Sequence, residues 1–367
     1  MTQLRTTMKA AVVALLGSAA IAQDLPVIDG AGLDLISELR LPSDTAVDGV
    51  PFGGISGLFP LSEGRYVALS DDRSEKGPAR FYELAIGVGE GHVFAVEILS
   101  QTTIMTEEGT PYETKTVDPE GIVFDAENGN YIWVSEVDLN KDPTIHVMSP
   151  SGEHMGRYDL PAGYFGTAEG TGDVDAASLE SIAITPDGGT LFIATENALQ
   201  QDGPRASSTQ VSPVRIVQID KNSGEVAAEY LYIVDTVGTV ALDEDRPWSD
   251  NGQTELYSLG DGRLIATERN GWHVANFEFH FAIKAYLVDL NGATDIKDIP
   301  SLAEAEVARI QPARKTLLVD FAQLELESVD NIEAMAPGPM VNGAPTVLFV
   351  SDNNFDGRQV TRFVLMQ

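Results

Sequence analysis

The sequence predicts an all-β protein, a β-propeller of four-stranded antiparallel blades, and three observations carry the prediction. A strand–turn–strand pattern recurs five times along the 367 residues. Further strand-like runs follow each copy, and in every copy an acidic or small residue opens the first strand while Ser/Thr followed by Asp/Glu closes the second.

The chain opens with Arg5 and Lys9, then the apolar run Ala10-Ala11-Val12-Val13-Ala14-Leu15-Leu16, then Ala20-Ile21-Ala22, a small-x-small cleavage site. That is the pattern of a secretory signal peptide over residues 1–22, too short in its apolar part to span a bilayer. A mature chain of residues 23–367, periplasmic or secreted, is expected to form one domain, because no linker or low-complexity tract divides it. It is expected to be monomeric. There is no cysteine, so core packing and strand pairing hold the fold, and thiolate chemistry is excluded.

The clearest hairpins are Glu120–Phe124, the turn Glu127–Asn130 and Tyr131–Glu136, followed by Glu180–Ile184, the turn Pro186–Gly189 and Leu191–Glu196. Their β-branched and aromatic runs broken by Asn-Gly and Asp-Gly are hairpin signals. Looser copies run from Ser56 to Asp72, from Glu255 to Glu268 and from Glu333 to Asp352. Segments such as Arg80–Leu84, Thr144–Met148, Val214–Ile219 and Ala285–Leu290 supply third strands. Only Thr361–Leu365 follows the last hairpin, and Leu33–Leu39 stands alone at the start, so these two are expected to pair and close the ring. The motifs lie about 60 to 80 residues apart, against roughly 45 for a simple blade. Five blades are therefore counted, with room for a degenerate sixth in 283–320.

In an antiparallel hairpin the start of the first strand and the end of the second share one edge, so the acids collect at one end of the axis. Glu120, Glu180, Glu255 and Glu333 are expected as an inner ring, with Asp71, Asp72, Glu136, Glu196, Glu268 and Asp352 around it. Carboxylates this close do not all stay ionised without a compensating cation. Calcium suits them, taking about six to eight oxygen ligands in flexible geometry. Arg73, Arg269 and Lys315, scarce cations beside the acids, are candidates to meet a substrate phosphate. The histidines His92, His146, His154, His273 and His280 lack metal-binding spacing and read as strand or loop residues. Ser56 is not a nucleophile, since Leu58 stands where the Gly-x-Ser-x-Gly elbow needs glycine; it reads as the small residue opening a channel strand. The connections 99–117, 161–177, 199–213 and 235–253 are expected over the acidic end.

The formal net charge is −33, from 56 acidic and 23 basic residues. Such a surface repels nucleic acid and anionic membranes. A small anionic ester reaching it needs local cations.

Several strings together resemble the phytase-like family described as having esterase-like activity of phytase: Gly53-Gly54-Ile55-Ser56-Gly57-Leu58, Ser70-Asp71-Asp72-Arg73, Asp118-Pro119-Glu120-Gly121-Ile122, Leu179-Glu180-Ser181-Ile182-Ala183, Ala194–Gly203, Glu268-Arg269-Asn270, Asn331–Met335 and Ser351–Phe355. The resemblance runs from about residue 50 to the end. One departure is Glu333-Ala334, where the pattern has Glu-Gly. The resemblance implies an exported protein with phytase-like or esterase-like activity, and together with the acid rings the expectation is a calcium-dependent hydrolase of phosphate monoesters. A calcium-dependent lactonase or carboxylic esterase, and a non-catalytic binding propeller with structural calcium, use the same acids.

Overall fold

The structure, a computed structural model, describes residues 32–89, 91–137, 142–164, 179–238, 248–274, 278–306 and 309–367. The expected signal peptide, with its cleavage site, lies outside them.

In chain order the first strand is β1 (Leu35–Arg40), followed by a short hairpin of β2 (Ala46–Val47) and β3 (Val50–Pro51). Blade 1 comprises β4 (Ile55–Ser62), β5 (Arg65–Ser70), β6 (Arg80–Gly89) and β7 (His92–Thr103). Blade 2 comprises β8 (Pro119–Asp125), β9 (Asn130–Ser135), β10 (Thr144–Met148) and β11 (His154–Tyr158). Blade 3 is β12 (Leu179–Ile184), β13 (Thr190–Thr195), β14 (Ser212–Asp220) and β15 (Val226–Val234). Blade 4 is β16 (Ser249–Ser258), β17 (Arg263–Val274), β18 (Glu278–Asp289) and β19 (Arg314–Asp320). Blade 5 joins β20 (Asn331–Val341), β21 (Ala344–Asp352) and β22 (Arg362–Met366) to β1 as its outermost strand.

Each blade is an antiparallel sheet, and the innermost strands β4, β8, β12, β16 and β20 pack side by side around the axis. The expected closure is present: β1 pairs with β22 through Leu39↔Phe363 and Arg40↔Arg362. The first described strand thus completes the last blade. The region 283–320 holds no sixth blade; it supplies the second half of β18 and all of β19 in blade 4. All five histidines lie in strands.

Both faces of each blade are apolar, so the core is divided among the interfaces between blades. Blades 1 and 2 share Val67, Leu69, Phe81, Tyr131 and Trp133, whereas blades 2 and 3 share Val123, Ile132, Ile182 and Ile193. Blades 5 and 1 close the circle through Leu58, Tyr66, Leu348, Val350 and Phe363. With apolar burial worth about 25 cal/mol per Å², these interfaces hold a chain that has no disulfide.

Near the axis the inner strands approach closely. A Cβ on Gly57 would lie 2.9 Å from the Ile122 nitrogen, and one on Gly121 would lie 2.9 Å from the Ile182 nitrogen. This is why small residues follow Ser56 and Glu120, and why the acidic end of the ring is tight.

A candidate cation site at the mouth of the propeller

The inner strands do not run as plain ladders. Ile55 pairs with Ser70 and Gly57 with Leu69, leaving Ser56 as an extra residue. The same bulge isolates Glu180 between Leu179 and Ser181, and Glu333 between Ile332 and Ala334. In blade 2 it falls between Pro119 and Ile122, where Glu120 lies. A bulge re-aims one side chain without disturbing the strand beyond it. Here it presents Ser56, Glu120, Glu180 and Glu333 at the axis.

Blade 4 differs. Its bulge lies between Gln253 and Glu255, so Thr254 occupies the position expected for Glu255. Glu255 is buried one step further along, its carboxylate accepting the backbone N–H groups of Leu256 and Met335. It anchors β16 to β20 instead of joining the acids.

The register shift carries through the hairpin. Asp71, Glu136, Glu196 and Asp352 each follow the second-strand residue that pairs just before the bulge (Ser70, Ser135, Thr195 and Ser351), but in blade 4 the equivalent residue is Arg269, because Glu268 pairs with Gln253 as Thr195 pairs with Leu179. Adjacent strand residues face opposite ways. Glu268 therefore turns away from the axis, accepting from Tyr232 Oη at 2.6 Å and from Lys315 Nζ at 2.5 Å. Lys315 is held there by Asp235 at 2.7 Å and by the ring of Tyr286, with Nζ 4.3 Å from the centroid. Neither Glu268 nor Lys315 belongs to the axial site.

Asp72 also leaves it. One step beyond Asp71, its carboxylate accepts the backbone N–H groups of Glu75, Lys76 and Gly77 and pairs with buried Arg80 at 2.5 Å. It pins the loop between β5 and β6.

Two groups of three carboxylates remain at the mouth. Asp71, Glu333 and Asp352 bring one oxygen each within 4.8 Å of one another, and so do Asp118, Glu120 and Glu136. Asp118 escaped the sequence reading because it precedes its strand; the hairpin pairing reaches it through Glu136, whose backbone N–H donates to the Asp118 carbonyl at 3.0 Å. Burial drives the carboxyls of Asp71, Glu120, Glu180 and Asp352 well above the usual range, and neighbouring carboxylates push the same way. Asp118 is raised to about 6, chiefly by burial, with Arg73 opposing. Glu180, on blade 3, belongs to neither group; its strongest charged neighbours are Glu196 and Glu136.

The backbone makes room for these acids. Gly54 has φ +63°, and a Cβ there would lie 2.1 Å from Asp71 Oδ1. On Gly252 a Cβ would meet Glu196 Cγ at 2.3 Å.

The cations divide unequally. Arg269 reaches across the mouth, its Nη2 donating to Glu196 Oε1 and its Nη1 to Glu333 Oε1, both at 2.5 Å. Arg205 bridges Glu196, at 3.2 Å, and Asp250. Arg73 lies 3.2 Å from Asp118 Oδ2 with 41% of its side chain exposed, so it rims the Asp118 group and stays open to solvent.

The donors suit a hard divalent cation: they are all carboxylate oxygens, no histidine is among them, and their mutual repulsion in a dry setting calls for positive charge. The fold and site define a five-bladed propeller with a buried acidic mouth. The chain belongs to the phytase-like family described as esterase-like activity of phytase, which matches residues 50–355.

No curated protein matches the sequence. Among solved structures the chain is similar in outline to a thermostable family-43 glycoside hydrolase at 12% identity, covering 86% of this chain and 89% of that one with a TM-score of 0.42. It is also similar to the periplasmic gluconolactonase of Pseudomonas aeruginosa at 11% identity, covering 88% and 89% with a TM-score of 0.39. The Dos1 propeller matches at 9% identity over 86% and 68%, with a TM-score of 0.36.

Proposed function

We propose that the protein is an exported, metal-dependent hydrolase of phosphate monoesters, with calcium held at the mouth of the propeller. The observation that carries this reading is the convergence of the two carboxylate groups, Asp118, Glu120, Glu136 and Asp71, Glu333, Asp352, at one end of the propeller of a phytase-like chain. Those six side chains are the ones that would hold the ion. Calcium bound there would supply the positive charge that a phosphate dianion otherwise lacks on so acidic a surface.

The remaining chemistry falls to the chain's own residues. Arg73, solvent-open beside Asp118, is placed to donate to a phosphate oxygen. Arg269 spans the mouth between Glu196 and Glu333 and fixes their carboxylates. Glu180, outside both groups and with a carboxyl raised by burial, is the carboxyl left to hold or pass a proton.

The test offers the calcium-loaded mature protein a phosphate monoester, a carboxylic ester and a lactone. Phosphate-ester turnover that drops at least tenfold in Glu180→Gln and in Arg73→Ala supports the reading. Turnover of the carboxylic ester or lactone alone would move the activity to acyl chemistry on the same acids, and no turnover of any would leave a binding propeller.

A further inference from the structure

Blade 4 is longer than its neighbours at the acidic end. Its strands β16, β17 and β18 continue past the ring, pairing as far as Ser249↔Trp272 and Val274↔Glu278. Paired residues on neighbouring strands share a face, and along each strand every second residue returns to it. The face that carries Arg269 therefore carries Gly271 and His273, and across the ladder Phe281 and Phe279. Trp248 joins them from β16's side, its carbonyl accepting the His273 N–H at 3.1 Å.

This makes an aromatic tier on the same face as the arginine at the mouth. His273 and Phe279 meet edge to face with centroids 4.2 Å apart, Trp248 lies 5.0 Å from His273 and 5.9 Å from Phe279, and Phe279 and Phe281 lie parallel at 6.3 Å. The indole of Trp248 seats itself over Gly271, where a Cβ would approach it to 3.1 Å. Trp248 is nevertheless 39% exposed and Phe279 36% exposed. In a chain of net charge −33, an exposed aromatic cluster continuous with the acidic mouth is not a solubility feature.

We infer that the face built by Trp248, His273, Phe279 and Phe281 binds the non-phosphate half of the substrate, and that this half is a flat aromatic group. The inference rests on reading the mouth as the hydrolytic site and specifies its substrate class: an aryl phosphate, not a polyphosphorylated polyol. At about 3.3 Å per strand residue the tier begins two residues beyond Arg269 and ends about 13 Å away at His273. An ester with its phosphate at the Asp71, Glu333 and Asp352 group, which Arg269 touches through Glu333, can lay one or two fused rings on it. A polyol carrying several phosphates would bring charge against apolar rings and lose solvation that the rings do not replace.

The experiment compares 1-naphthyl phosphate with glycerol 2-phosphate on the calcium-loaded mature protein, in wild type, Trp248→Ala and Phe279→Ala. The expected result is a kcat/KM preference for the naphthyl ester that falls about fivefold or more in each variant, through KM. A preference unchanged in both variants overturns the inference. Where neither ester is turned over, the hydrolytic reading fails by itself, and calorimetric binding of 1-naphthyl phosphate decides. Binding weakened about fivefold by the variants sustains the platform, while equal affinity, or no binding by wild type, overturns it. Both side chains are partly exposed, and should Trp248→Ala not fold, Phe279→Ala decides.

Discussion

Replacing Arg269 with methionine removes the cation that bridges Glu196 and Glu333 across the mouth, with its side chain only 19% exposed. Two carboxylates lose a partner, but not equally. Glu196 keeps Arg205 at 3.2 Å. Glu333 is left facing Asp352 and Glu196, with Asn331 as a neutral neighbour. Breaking a buried pair by removing one member costs about 3–5 kcal/mol, because an uncompensated charge stays behind. Partial exposure and the surviving Arg205 contact place Arg269→Met near the low end, about 3 kcal/mol. Burial raises the Glu333 carboxyl to about 8, with Arg269 opposing, so urea unfolding of chelator-treated wild type and variant at pH 9, where Glu333 is charged, measures this. Adding calcium should then stabilise the variant more than the wild type, since one more negative charge at the mouth awaits compensation. A loss below about 1 kcal/mol would refute the reasoning, because it would mean that Arg269 compensates no buried charge at Glu333.

Asp72→Ala should destabilise the protein by about 3–5 kcal/mol without altering calcium affinity, because it leaves buried Arg80 without its carboxylate partner and takes the acceptor from three backbone N–H groups of the loop after β5; thermal melts with and without calcium separate the two effects. His146 is 4% exposed, stacked on Trp133 at 4.2 Å, and held down to about 3 by burial, with His154 and Arg157 acting the same way. Its folded pKa lies below the ordinary value near 6.5, so the stability it allows is present above pH 6.5 and is lost as pH falls toward 3. At pH 5 the loss is about 2 kcal/mol. His146→Phe keeps the stack and should recover that amount in urea unfolding at pH 5 relative to pH 8; an identical pH dependence in both proteins would contradict it.

The features legible in the sequence are those that local chemistry sets. Turn residues and alternating strands announce the hairpins, and the unpaired segments Leu33–Leu39 and Thr361–Leu365 announce the closure. The collection of acids at one end follows from hairpin geometry alone. What escaped the sequence was register. In blade 4, Thr267-Glu268 imitates the Ser/Thr-acid ending of the other hairpins, yet β16 and β17 run on past it, and a bulge at Thr254 instead of Glu255 moves Arg269 into the ring and Glu268 out. Bulge placement depends on how inner strands of neighbouring blades approach, which no single segment encodes. Asp72 and Lys315 were misplaced for a related reason: the side to which a charge turns is decided by backbone N–H groups and aromatic rings from distant segments. Asp118 carried a readable signal, since an acid two residues before Glu120 lies at the same edge.

The measurement that tests the central claim most directly is a calcium titration of the chelator-treated mature protein, following thermal stability and p-nitrophenyl phosphate turnover in the same samples, in wild type and Glu120→Gln. Stability and turnover should rise together along one binding curve in the wild type, and that curve should shift about tenfold or more toward higher calcium in the variant, as loss of a ligand at a hard-cation site requires. Turnover indifferent to chelation, or a Glu120→Gln curve that overlays the wild type, would contradict the assignment of the carboxylate mouth as the cation site of an ester hydrolase.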